Sequence, residues 1–129
     1  MSRSKVIPAG IGMKPQRICQ QKEIPDPGCK QFTVSHPAGR LEGFIVHRGG
    51  RLSAFVNHCP HTGVSLNWLP DQFFDRDAEF IQCSLHGALF RPDDGYCVRG
   101  PCAGRSLERL ELEVRGEEIW IIPSHSSAL

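Results

Sequence analysis

An all-β fold is predicted by three features of the sequence: short apolar runs bounded by glycine, proline and aspartate, a Gly49-Gly50 pair between two such runs, and no stretch with a sustained helical stripe. Residues 1–15 carry Pro8, Gly10, Gly12 and Pro15 among few charges and read as an extended N-terminal arm. A single domain is expected over residues 16–123, followed by a tail at 124–129. Arg17 to Gln20 suggests a first strand. The segment from Lys22 to Gly28, with Pro25 and Pro27, is a turn-rich connection to a second strand, Gln31 to Ser35. Leu41 to Arg48 and Arg51 to Val56 are two strands, and two glycines between apolar runs predict a tight hairpin joining them. Asp71 to Arg76 suggests a short helical turn. Glu79 to Gln82 and Ala88 to Arg91 read as strands on either side of a loop, with Pro92 to Gly95 as the next turn. Leu110 to Val114 alternates apolar and acidic residues and pairs across Arg115-Gly116-Glu117 with Glu118 to Ile122, a closing hairpin with one wet face.

At 129 residues the chain has room for one domain with a modest core, too little for a catalytic iron domain beside it. Fifteen Lys and Arg against 14 Asp and Glu give a net charge of +1, with no basic stripe for a phosphate backbone, so nucleic acid is an unfavoured partner. Residues 1–10 show no secretory signal, twin arginine or lipid anchor, and no apolar run approaches a bilayer span. A cytoplasmic location with no membrane partner is the expectation. In a reducing compartment, the cysteines at 19, 29, 97 and 102 are expected as buried thiols. Cys97 and Cys102, which flank Arg99-Gly100-Pro101, are placed to sit close together.

The chemistry is carried by two boxes. Cys59-Pro60-His61 and Cys83-Ser84-Leu85-His86 each offer one thiolate and one imidazole, separated by 21 residues. Two thiolates and two imidazoles can hold one zinc ion tetrahedrally, or two sulfide-bridged irons with the thiolates on one iron and the imidazoles on the other. Zinc knuckles commonly pair like residues, whereas each box here mixes the two types. Loops that must each reach both irons would be built that way. Gly63 and Gly87 lie where backbone would pass close to a cluster and turn N–H groups toward its sulfides.

Cys59-Pro60-His61-Thr62-Gly63 with Cys83-Ser84-Leu85-His86-Gly87 resembles the Rieske ferredoxin family, and Asp94-Gly95 and Gly100-Pro101 resemble that family's turn and proline loop beside the cluster. The likeness covers roughly residues 17–122; its departure is a longer gap between the boxes, with Asn67 to Phe74 as extra structure. The resemblance implies a base sheet framework, a smaller subdomain carrying two cluster loops, and one [2Fe–2S] cluster held by Cys59, His61, Cys83 and His86. It further implies histidine edges facing solvent and reduction coupled to proton uptake. The function implied is soluble one-electron transfer from a flavin-dependent reductase to an oxygenase or other terminal oxidoreductase, without catalytic activity of its own. Alternatives are the small Rieske subunit of a multi-subunit oxidoreductase such as a nitrite reductase, a redox or iron sensor, and a zinc-stapled interaction domain.

High-potential respiratory members of that family bridge their two loops by a further cysteine pair, at positions that here are Val64 and Leu85. They also carry a serine and a tyrosine that donate to cluster sulfur, where this chain has Ala88 and Phe90. A low potential is the expectation. His58, next to Cys59, points to the opposite side and reads as a surface or structural residue, and His36, His47 and His125 read as surface residues. Trp68, Phe73 and Phe74 are expected to pack beneath the inserted segment. No nucleophile elbow, phosphate loop, or flavin or nicotinamide fingerprint is present.

Overall fold

The computed structural model describes residues 15–36, 39–58, 65–67, 71–84 and 87–122. Among these residues nine strands follow in chain order: β1 (Gln16–Gln20), β2 (Gly28–His36), β3 (Gly39–Arg48), β4 (Arg51–Val56), β5 (Ile81–Gln82), β6 (Leu89–Phe90), β7 (Cys97–Arg99), β8 (Arg109–Arg115) and β9 (Glu118–Ile122). The only helical element among the described residues is a 3-10 turn, Gln21–Glu23, within the connection after β1. The all-β expectation therefore holds. β7 is additional to the strands read from sequence.

Six strands form one antiparallel sheet in the order β1-β9-β8-β4-β3-β2, and β5-β6-β7 form a second, smaller sheet. The predicted Gly49-Gly50 hairpin joins β3 to β4 in register from Arg48↔Arg51 to Gly43↔Val56. The Asp26 carboxylate holds that turn from outside, accepting from Gly49 N–H at 2.9 Å and Gly50 N–H at 2.8 Å. The larger sheet curls until its two edges meet. The side-chain amide of Gln16 on β1 donates to Ser35 O on β2 at 2.9 Å and accepts from Ser35 N–H at 3.1 Å, standing in for a backbone partner.

The continuous apolar run Phe44-Ile45-Val46 is explained by burial on both faces. Ile45 points into a core with Cys19, Phe32, Val34, Ala54, Val56, Leu110, Ile119 and Ile121, while Phe44 and Val46 point to the opposite side. There a second core joins Phe55 to Leu66, Phe73, Ile81, Cys83, Ala88, Phe90, Cys97 and Cys102. This second core fastens the small sheet to the large one, and Cys83 of the second box belongs to it. The closing hairpin exposes Glu111 and Glu113 as expected, and Leu110 turns inward.

The helical turn expected at Asp71 to Arg76 is absent. The segment is a narrow hairpin instead: Gln82 N–H donates to Phe73 O and Asp75 N–H to Phe80 O, both at 2.8 Å, and Phe74 bridges Ile81. Asp75 Oδ1 closes its turn by accepting from Glu79 N–H at 3.0 Å and Phe80 N–H at 3.2 Å, bonds that compete with helix formation. The strand expected from Glu79 accordingly begins only at Ile81.

Candidate metal centre

The first box leaves the end of β4. Val56 N–H donates to Glu108 O at 2.8 Å and Asn57 N–H to Glu42 O at 2.9 Å, so the strand is tied on both sides before the chain turns away. Asn57 is buried, and its side chain spans the stem of the loop that follows: Oδ1 accepts from Leu66 N–H at 2.8 Å and Nδ2 donates to Asn67 Oδ1 at 3.0 Å. Asn67 Nδ2 in turn donates to Gln31 Oε1 at 2.9 Å, and Gln31 N–H to Asp71 Oδ1 at 2.7 Å. The inserted segment is thus pinned to β2. Of the ligand candidates, Cys59, His61 and His86 lie outside the described residues, as do Val64, Leu85, Trp68 and His125.

The second box leaves β5. Cys83 is fully buried. A tight turn closes around it: Gly87 N–H donates to Cys83 O at 2.8 Å and Cys83 N–H to Ala88 O at 2.9 Å. Gly87 has φ +70°, a left-handed conformation that a side chain would strain. Ser84 N–H donates to Leu66 O at 2.8 Å. That bond joins Leu66, downstream of the first box in sequence, to Ser84 in the second.

A third loop packs behind them. A Cβ at Gly100 would lie 2.7 Å from Ala88 Cα and 2.9 Å from its Cβ, so only glycine lets the Gly100-Pro101 backbone rest on the second box. Cys97 and Cys102, both buried, do meet as expected, with sulfurs 3.2 Å apart. Phe90 is fully buried and Ala88 nearly so, and neither side chain carries a hydroxyl. These features fit the donor set of a mixed thiolate–imidazole cluster: a water-free thiol at Cys83, a glycine turn after the second box, and a loop pressed against it.

The remaining residues singled out from sequence divide. Phe73 is buried, stacked on Phe44 with ring centroids 4.0 Å apart, so it packs beneath the insertion as expected. His58 is exposed. His47 is not a surface residue: its side chain is 12% exposed, with Nδ1 2.9 Å from Ile24 O and Nε2 3.8 Å from Asp26 Oδ2. Cys19 and Cys29 are buried, and no disulfide joins the described cysteines. Burial pushes the Cys29 thiol up to about 12, against a smaller opposing effect of a Phe73 backbone hydrogen bond, so it stays protonated and unsuited to bind metal. Asn57 was not singled out from sequence. No sequence signal marks it, since its partners, Leu66 and Asn67, are set by the fold.

The pattern of the Rieske [2Fe-2S] domain family matches residues 14–124. The chain is a member of that family, and its cofactor is a [2Fe–2S] cluster. Over 89 residues it is 35% identical to the cytochrome b6-f complex iron-sulfur subunit 2 of Nostoc sp. (strain PCC 7120), a match covering 67% of this chain and 45% of that protein. The chain spans about half the length of the curated relatives it matches. Among solved structures, the ferredoxin of carbazole 1,9a-dioxygenase from Nocardioides aromaticivorans IC177 superposes with TM-score 0.65 at 22% identity, covering 86% of this chain and 99% of that one. A chain in the complex of reduced oxygenase and oxidized ferredoxin in carbazole 1,9a-dioxygenase superposes with TM-score 0.68 at 19% identity, covering 87% of this chain and 95% of its own. At these identities the superpositions speak to the fold. Among the described residues no helix is long and apolar enough to cross a membrane.

Proposed function

We propose that residues 16–123 form one cluster-carrying domain in which Cys59 and Cys83 ligate one iron and His61 and His86 the other. The chain would serve as a one-electron carrier between a flavin-dependent reductase and an oxygenase or other terminal oxidoreductase. The observation that supports this reading is the Ser84–Leu66 hydrogen bond of 2.8 Å, which ties the segment just after the first box to the segment that opens the second. The bound cluster supplies a site that gains and loses one electron. Around it, Cys83 is kept from water by the second core, and the turn from Cys83 to Ala88 holds the box at fixed length. Asn57 holds the first loop closed at its base.

The oxygenase partner is supported by the likeness to a carbazole dioxygenase ferredoxin over almost all of that protein's length. The test is spectroscopic. Anaerobically purified protein should give the visible and electron paramagnetic resonance spectra of a mixed-ligand [2Fe–2S] centre, and His86→Ala should abolish them. A variant that keeps full iron and sulfide with unaltered spectra would refute the ligand assignment. Copurification with a large catalytic subunit, in place of transient reduction of an isolated chain, would favour the subunit of a larger oxidoreductase.

A further inference from the structure

We infer that Cys97 and Cys102 are a dithiol–disulfide couple whose oxidation acts on the second ligand box through Gly100 and Ala88. The two sulfurs lie 3.2 Å apart as thiols, and Cys97 Sγ also lies 3.2 Å from Arg99 O. The Cys97 thiol can donate to that carbonyl, and either sulfur can be the donor across the pair. Closing the gap to a disulfide at about 2.05 Å needs a displacement on the order of 1 Å.

The turn between them is the one in contact with the box. It is held by Ala103 N–H to Gly100 O and Gly104 N–H to Cys97 O, both 3.1 Å, with Cys97 N–H to Arg105 O at 2.7 Å at its base. Gly100 lies hard against Ala88, with no room even for a methyl group. Close-packed backbone transmits a shift of this size instead of absorbing it. Ala88 O accepts from Cys83 N–H at 2.9 Å, so the displacement arrives at a ligand residue.

The oxidant is a low-molecular-weight disulfide of the glutathione class. One cysteine sulfur attacks it and expels one small thiol, and the second cysteine sulfur displaces the other. The pair loses two electrons and two protons, and the small disulfide becomes two thiols. Cys97 is 0% and Cys102 1% exposed, whereas Val98 to Pro101, Ala103 and Gly104 are all exposed, so the attack follows opening of that turn and is slow.

The effect at the cluster rests on the ligand assignment proposed above; the thiol chemistry does not. Holoprotein equilibrated anaerobically across glutathione buffers of increasing oxidised fraction, then alkylated and digested, gives the state of the pair by mass. Voltammetry and paramagnetic resonance of the same samples give the state of the cluster. The expected result is loss of both alkyl groups together from the peptide holding Cys97 and Cys102, with its mass lower by two hydrogens. The cluster spectrum is retained and its potential shifts along the same buffer series. Cys102→Ala and, independently, Cys97→Ser should leave the remaining cysteine alkylated and the potential insensitive to the buffer. Full alkylation of both wild-type cysteines at the most oxidising ratio overturns the proposal. A disulfide that forms with no change in potential or spectrum overturns its link to the ligand box. Absence of any cluster spectrum would count against the ligand assignment and leave the mass result to be judged alone.

Discussion

Asn57 ties the two ends of the first ligand loop together with one short side chain, binding Leu66 and Asn67 beyond it. Replacing it with alanine leaves the buried Leu66 N–H without an acceptor, a loss of about 1–3 kcal/mol. Asn57→Ala should lower the denaturation midpoint accordingly and bleach the cluster absorbance faster in a chelator, and an unchanged bleaching rate would show that the clasp does not govern the loop. Ala88 and Phe90 bear on a different property. Neither donates to cluster sulfur, so the reduced state goes without two stabilising hydrogen bonds, and the potential should fall at the low end of the Rieske range of about −150 to +300 mV. Film voltammetry at neutral pH checks this; a value in the upper half of that range would contradict it. Ala88→Ser with Phe90→Tyr should raise the potential if the hydroxyls reach the sulfurs. The [2Fe–2S] family was legible because the spacing of the two mixed boxes is itself the chemistry. Asn57 was not, because its worth depends on Leu66 N–H returning to it nine residues later, and polar residues before loops are common for many reasons.

At the scale of elements, the insertion between the boxes is a strut. Phe73 is buried against Phe44 on β3, while Asp71 and Asn67 bind Gln31 on β2, so the segment braces the first loop against the large sheet. Truncating Phe73 to alanine removes a stacked, fully enclosed ring, and a loss of about 3–5 kcal/mol is expected in chemical denaturation. A loss below about 1 kcal/mol would mean that the insertion is not held by this contact. Long strands such as β3 and β8 were readable from alternation and from the double-glycine turn. The residues around Asp71 misled because local composition allows a helical turn, whereas Asp75 closes a hairpin and Asp71 itself sits at φ 61°. β7 escaped notice because a three-residue strand carries no periodicity, and its pairing with β6 is set by the fold.

For the molecule as a whole, three carboxylates act together in acid. Asp26 is held below the usual carboxylate range chiefly by Gly50 and Gly49 N–H, Asp94 by the Arg91 guanidinium, and Glu118 by Arg17. Each pKa is depressed in the folded state, so the stability it lends is fully present above the unfolded value and is lost as pH falls through the folded one. The window lies below about pH 4. The denaturation midpoint should drop through that range, and Asp26→Asn should make the drop shallower; an equally steep decline in the variant would exclude Asp26 as a contributor. The large sheet has a further consequence for how the protein is made. β1 pairs with β9, Gln16 opposite Ile121, so the first-made strand of this sheet waits for a partner roughly a hundred residues behind it. At bacterial-scale synthesis of about 5–20 residues per second the wait is on the order of 5–20 s. Throughout it β1 lacks its backbone partner, and Cys19 has only the earlier-made part of its core, with Phe32, Val34, Ile45, Ala54 and Val56, while Leu110, Ile119 and Ile121 are still to come. Vectorial synthesis therefore leaves this sheet open along one seam until its last strand arrives.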